Sequence, residues 1–160
     1  MNKLLVALAL ALLSAPALAQ TVATDETFNV TITAPDGWAE SETEERVVFA
    51  FRHEDHSQIE VLGVELMTPE VADVFFTFFH DTLQSSDFMQ VGREDKAYGE
   101  RNGTETVYRF EHSGVALKVV TFQFANDTTA WIFVGYMQEE LFDGRVADFQ
   151  AAVESFAFGE

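Results

Sequence analysis

Two imidazoles and two carboxylates fall on one four-residue stretch, His53-Glu54-Asp55-His56. Nitrogen and carboxylate donors so close together are potential ligands for zinc or another divalent ion. A tight site also needs rigid ligands, usually with one from a second element, and an H-x-x-H pair in a turn lacks both. Nor is the order the helical H-E-x-x-H of a metalloprotease. An ordinary polar turn is expected, and no metal ligand is assigned. The loop Glu40-Ser41-Glu42-Thr43-Glu44-Glu45 offers carboxylate oxygens to calcium but lacks the D-x-[DN]-x-[DN]-G order of a calcium loop, so a solvated loop is expected there. The chain has no cysteine, which excludes thiol catalysis and zinc-thiolate sites. It has no G-x-S-x-G elbow, no G-x-G-x-x-G and no G-x-x-x-x-G-K-[ST]. No catalytic residue and no cofactor are assigned, and the expectation is a protein that is not an enzyme. A hydrolase would need paired carboxyls or a His–carboxylate pair in a deep cleft.

Recognition is the remaining chemistry, and one segment could carry it. Thr68-Pro69-Glu70 starts a helix: Thr68 can cap, Pro69 suits the first turn and Glu70 complements the dipole. Val71, Val74, Phe75, Phe78 and Thr82 then mark one stripe, taken as the inward face, and the helix is expected to end near Ser85-Ser86. Ala72, Phe76, Phe79 and Leu83 widen the apolar arc beyond the roughly 100° that covering a sheet requires. Phe76 lies farthest round, beside His80 and Asp73. Either loops cover these extra side chains, or they form an exposed aromatic patch for a partner or an apolar ligand. The outward set Phe76, Phe79, His80 and Leu83 is the candidate partner-binding site. The alternative is a carrier, either of a small apolar ligand held near Phe75, Phe78 and Tyr136, or of a divalent cation at His53 and His56.

The elements around this helix read as a sheet. Phe28, Val30 and Ile32 alternate with polar residues in a first strand, which Ala34-Pro35-Asp36-Gly37-Trp38 ends, with Trp38 folding back onto the core. RVVFAFRH (46–53) and QIEVLGVELM (58–67) pair as a hairpin. Residues 88–98 form a strand that is irregular at Gly92, and Asn102-Gly103 predicts a hairpin turn before a strand over 104–111. His112-Ser113-Gly114 and Asn126-Asp127-Thr128 are further turns, and VALKVVTFQF (115–124) lies between them. AWIFVGYM (130–137) is apolar on both faces, as a last, central strand covered on both sides should be. A closing helix over about 143–156 buries Val146, Phe149, Val153 and Phe156, and Phe158 packs after it. The architecture expected is α+β, an antiparallel sheet sandwiched between helices.

Residues 1–19 carry Lys3, the apolar run Leu4 to Leu13, and Ala17-Leu18-Ala19 before Gln20. This is the pattern of a cleaved secretory signal peptide. The apolar run is too short to span a bilayer, Gln20 offers no thiol for a lipid, and no later stretch is long and apolar enough to insert. A periplasmic or secreted protein is expected, with a flexible lead over 20–26 and one domain over 27–158. Cutting 19 residues from 160 leaves 141, enough for a core without disulfides. The net charge of −18 becomes −19 when Lys3 is removed, and Lys96 and Lys118 are the lysines left. Such a surface repels nucleic acid and anionic lipid and suits basic partners.

Three stretches resemble the PsbP/Mog1-like family, which includes bacterial periplasmic DcrB-type proteins. They are the opening strand into Ala34-Pro35-Asp36-Gly37-Trp38, the turn and strand GERNGTETVYRF (99–110), and the terminal Ser155-Phe156-Ala157-Phe158. The resemblance spans most of 27–158 and rests on pattern and order. It implies six or seven antiparallel strands in an α/β/α sandwich and a mostly non-enzymatic binding or assembly role. Family members differ in partner, so the resemblance assigns neither a ligand residue nor an oligomeric state; an envelope protein is the partner expected.

Overall fold

The computed structural model describes residues 20–159, so the expected leader lies outside the described residues. The chain runs β1 (Val22–Asp25), β2 (Val30–Thr33), β3 (Trp38–Glu40), β4 (Val47–His53), β5 (Gln58–Glu65), α1 (Val71–Ser85), β6 (Met89–Tyr98), β7 (Arg101–His112), β8 (Val115–Ala125) and β9 (Thr129–Gln138). A 3-10 turn at Glu139–Leu141, α2 (Phe142–Ser155) and β10 (Ala157–Phe158) complete it. Seven strands form one antiparallel sheet in the order β3-β4-β5-β9-β8-β7-β6, and β1-β2-β10 form a second, smaller sheet.

β9 is the middle strand of the large sheet, as its two-faced apolar sequence requires. Its residues divide by parity, because successive side chains leave a strand on opposite faces. Ala130, Ile132 and Val134 pack with Tyr108 and Val119 under Ala72 and Phe76 of α1. Trp131 and Phe133 pack on the other face with Phe124, Phe149 and Phe156, beneath α2 and the small sheet. Phe156 is the hinge of this second core: its ring meets those of Trp131 at 4.8 Å and Phe133 at 5.3 Å, both edge to face. The expected α+β sandwich is the observed one.

Several local expectations are met. β4 and β5 form the hairpin. The register of β6 slips between Gln90 and Gly92, where the irregularity was expected. Ser113 and Gly114 both take positive φ in the two-residue turn after β7 (52° and 80°). Asn126 Oδ1 accepts from the backbone N–H of Thr128 and Thr129, closing the turn before β9.

Others are corrected. The lead expected over 20–26 contains β1, which pairs with β2 from Val22 opposite Thr33 to Asp25 opposite Val30, burying Ala23. β9 is not the last strand, because β10 adds to the other edge of β2. Asn102-Gly103 is not a turn. Gly99-Glu100 makes the two-residue connection, with Tyr98 opposite Arg101 and φ of +61° at Gly99. A glycine first in the loop is the signature of a type II′ turn. Gly103 lies within β7, and its glycine is required by crowding: a Cβ there would stand 2.2 Å from the Gln123 carbonyl oxygen and 2.7 Å from the Phe122 ring.

Candidate functional site

The His53–His56 turn is built to hold α2. His53 is buried, its ring 5.5 Å from that of Trp38, and its Nδ1 accepts from the Asp55 backbone N–H and lies 3.1 Å from Asp55 Oδ1. The other Asp55 oxygen accepts from Arg145 Nε on α2 at 2.7 Å. Arg145 Nη1 reaches Asp148 Oδ2 at 3.2 Å, and the same oxygen accepts from Trp38 Nε1 at 3.0 Å. Burial raises the Asp55 pKa, but the hydrogen bonds it accepts from the Ser57 backbone N–H and from Arg145 outweigh it and hold the carboxyl well below the usual carboxylate range. His56 is exposed at φ +69° and does not join its neighbour. Among the described residues, no three His, Asp or Glu side chains are placed to hold a metal ion, the Glu40–Glu45 loop included.

α1 presents a different face to the sheet from the one expected. Phe76 and His80, read from sequence as outward, are 8% and 6% exposed, and Phe79 and Leu83 are half-buried against the same core. Of the residues taken as inward, Val74 and Phe78 are both 68% exposed and Val71 40%. The helix is turned by about one residue, or about 100°. The cause is polar. An apolar arc this wide leaves two rotational settings open, and the observed one gives His80 two buried partners across the interface. Its Nε2–H donates to Gln123 Oε1 at 2.5 Å, so in the neutral ring Nδ1 is the acceptor and takes the Tyr108 hydroxyl. Tyr108 is fully buried, and burial pushes its pKa up to about 12, keeping it the donor. Phe78 therefore cannot line a pocket between helix and sheet with Phe75 and Tyr136, which do pack on that core.

His80 is buried without a carboxylate hydrogen-bond partner. Burial lowers its pKa from 6.5, against the opposing pull of the Gln123 hydrogen bond. The stability consequence follows from linkage. Below about 6.5 the unfolded chain takes up a proton that the folded chain refuses. The contribution of His80 is therefore full above that pH and is lost as pH falls towards the lowered folded value. We expect the urea midpoint to drop between about pH 7.5 and 5.5, and to drop less in His80→Gln, since the remaining acid-sensitive groups titrate alike in both. An equal drop in both proteins would mean that His80 titrates freely in the fold.

Beside His80 opens a cleft of about 250 Å³ between α1 and the β6 edge. Asp73, Thr77, Asp81 and Gln84 of α1 form one wall, Gln90 and Arg93 of β6 the other, and Gln123 lies at the floor with His80. No sequence motif joins these positions; they converge because β8, β7 and β6 are neighbours and α1 is turned as described.

No protein-family model matches the chain, and no curated protein matches it in sequence. Solved structures do match in shape. LpqN of Mycobacterium tuberculosis, involved in cell envelope biogenesis, superposes with a TM-score of 0.66 at 11% identity, over 88% of this chain and 91% of that one. The cyanobacterial PsbP of Synechocystis sp. PCC 6803 gives 0.61 at 16% identity, over 89% and 95%. The Ran-binding protein Mog1p of Saccharomyces cerevisiae gives 0.56 at 9% identity, over 86% and 94%. A Bacteroides thetaiotaomicron structure gives 0.62 at 12% identity over 82% of this chain, which spans 46% of that longer chain. The chain has the PsbP/Mog1-like fold. Among the described residues, no helix is long and apolar enough to cross a membrane.

Proposed function

We propose that this chain is an exported, non-enzymatic binding or assembly accessory, of the DcrB type, that recognises an envelope protein through the outer face of α1. The observation that carries the reading is the row Val71, Val74 and Phe78, three exposed apolar side chains at i, i+3 and i+7, with the 94%-exposed Met67 just before the helix. Such a row does not contribute to the core and is the usual anchor of a partner contact. α1 carries no Lys or Arg, while Asp73 and Asp81 lie on it, in a chain of net charge −18. The complementary partner is a cationic amphipathic segment. Export is supported by the leader pattern at residues 1–19, and the accessory role by the likeness in fold to LpqN, itself involved in envelope biogenesis. The one His–carboxylate pair described, His53 with Asp55, secures α2.

A fluorescein-labelled helical peptide of leucine and lysine, titrated beside its leucine–glutamate counterpart, tests this. We expect the cationic peptide to bind, and Phe78→Ser to weaken it about 30-fold, the loss of a hot-spot anchor, with the circular dichroism unchanged. Equal affinity for wild type and Phe78→Ser would show that the peptide reads charge alone and would remove the helix face from the proposal.

A further inference from the structure

The cleft beside His80 holds more polar groups than docking α1 requires. The helix is seated by Ala72, Phe76 and the two bonds of His80. The polar side chains of the two walls form no hydrogen bond and no ion pair among the described residues; Arg93, Asp73 and Asp81 in particular lie beyond salt-bridge distance of one another. At the floor, Gln123 is 7% exposed and gives its Oε1 to His80, which leaves its NH2 without a protein partner. The amide nitrogen is not among the buried unpartnered atoms, so it opens to the cleft with both donors free for an acceptor there.

The charges are sorted by wall. Asp73 and Asp81 stand on the helix, and Arg93 stands on the strand opposite. A phosphate or other simple anion would face two carboxylates, and a simple cation would face the guanidinium. An apolar ligand would leave every donor and acceptor unpaired. The ligand that satisfies both walls carries a carboxylate and an ammonium on one small frame. The volume equals that of roughly eight water molecules, which limits the size.

We propose that this cleft is a binding site for a small zwitterion, of which a free α-amino acid is the simplest, with its carboxylate on Arg93 and Gln123 and its ammonium on Asp81; Asp73, about two helical turns away, lies too far to share it. The cleft shares Asp73 and Asp81 with the acidic charge of α1 but not the apolar row Val71, Val74 and Phe78, so Phe78→Ser tests the partner face and leaves this proposal standing.

The test is a titration of the isotopically labelled protein with glycine, L-alanine, L-serine and L-glutamine, each followed by NMR of the glutamine side-chain amides and by thermal melting. Propionate and ethylammonium serve as the two half-ligands. At least one amino acid is expected to saturate, moving the Gln123 amide signals and raising the thermal midpoint by several degrees at about 100-fold excess over Kd. Arg93→Gln and Asp81→Asn are each expected to weaken it at least tenfold while leaving the melting of the free protein nearly unchanged, since both sites are exposed. Three results would overturn the proposal: no amino acid saturates, either half-ligand binds as tightly as the whole, or both variants bind like wild type.

Discussion

Phe76→Asp is expected to cost this protein at least about 4 kcal/mol, a large share of the stability of a domain this size. Two losses combine. The ring leaves an interface in which it is 8% exposed, packed with Tyr108, Ile132 and Val134. A carboxylate then takes its place in a largely apolar interface, and burial of a charge is among the most damaging single changes. Phe78→Asp, two residues on and 68% exposed, is expected to stay within about 0.5 kcal/mol. Urea unfolding of the pair is a direct test of how α1 sits. Equal costs, or the reverse order, would show that the helix carries its apolar arc in the other setting.

The second large effect is expected at Gly103. An added methyl group would meet the Gln123 carbonyl oxygen at 2.2 Å and the Phe122 ring at 2.7 Å. Neither can give way cheaply: the carbonyl belongs to β8 within the sheet, and Phe122 is fully buried between neighbours. Overpacking of this kind costs about 3 kcal/mol or more, through strands pushed apart rather than a side chain moved aside. Gly99→Ala is the comparison. Nothing lies within 4 Å of a Cβ there, so the cost is the strain of a positive φ alone, about 1 kcal/mol. If the two alanine variants unfold at the same urea concentration, Gly103 is not crowded and its closeness to β8 has been overstated.

These two positions also show where the sequence could be read and where it could not. The two-faced apolar run at 130–137 placed β9 correctly at the middle of the sheet, because burial on both faces leaves little room for a polar side chain. The hairpin of β4 and β5 and the irregularity at Gly92 were legible for similarly local reasons. Asn102-Gly103 misled, because a glycine selected for close approach and one selected for a turn look alike in one dimension. The face of α1 was undecidable from periodicity. His80 decides it, through Tyr108 and Gln123, which lie 28 and 43 positions away. β1 and β10 are too short to carry a period, and each becomes a strand by pairing with β2. The cleft was illegible for the same reason as the helix face: its walls come from α1 and β6 and its floor from β8 as well, and only the strand order brings them together.

The small sheet imposes an order of assembly. β2 pairs with residues 22–25 on one side and 157–158 on the other, and Thr33 exchanges hydrogen bonds with Ser155, 122 positions away. Arg101 donates to the carbonyls of Val153 and Glu154 at 2.9 Å and to that of Phe156, fastening the end of α2 from the middle of the chain. The meander from β6 to β9 closes through neighbouring hairpins and can form early. The core beneath it cannot. Until residues 149–156 arrive, Trp131 and Phe133 lack their cover, and β2 keeps an open edge until β10 is added. A chain emerging from a ribosome or threading a pore amino end first therefore stays unlocked until residues 149–158 are out, and a chain cut before residue 149 would leave the meander formed and the core open.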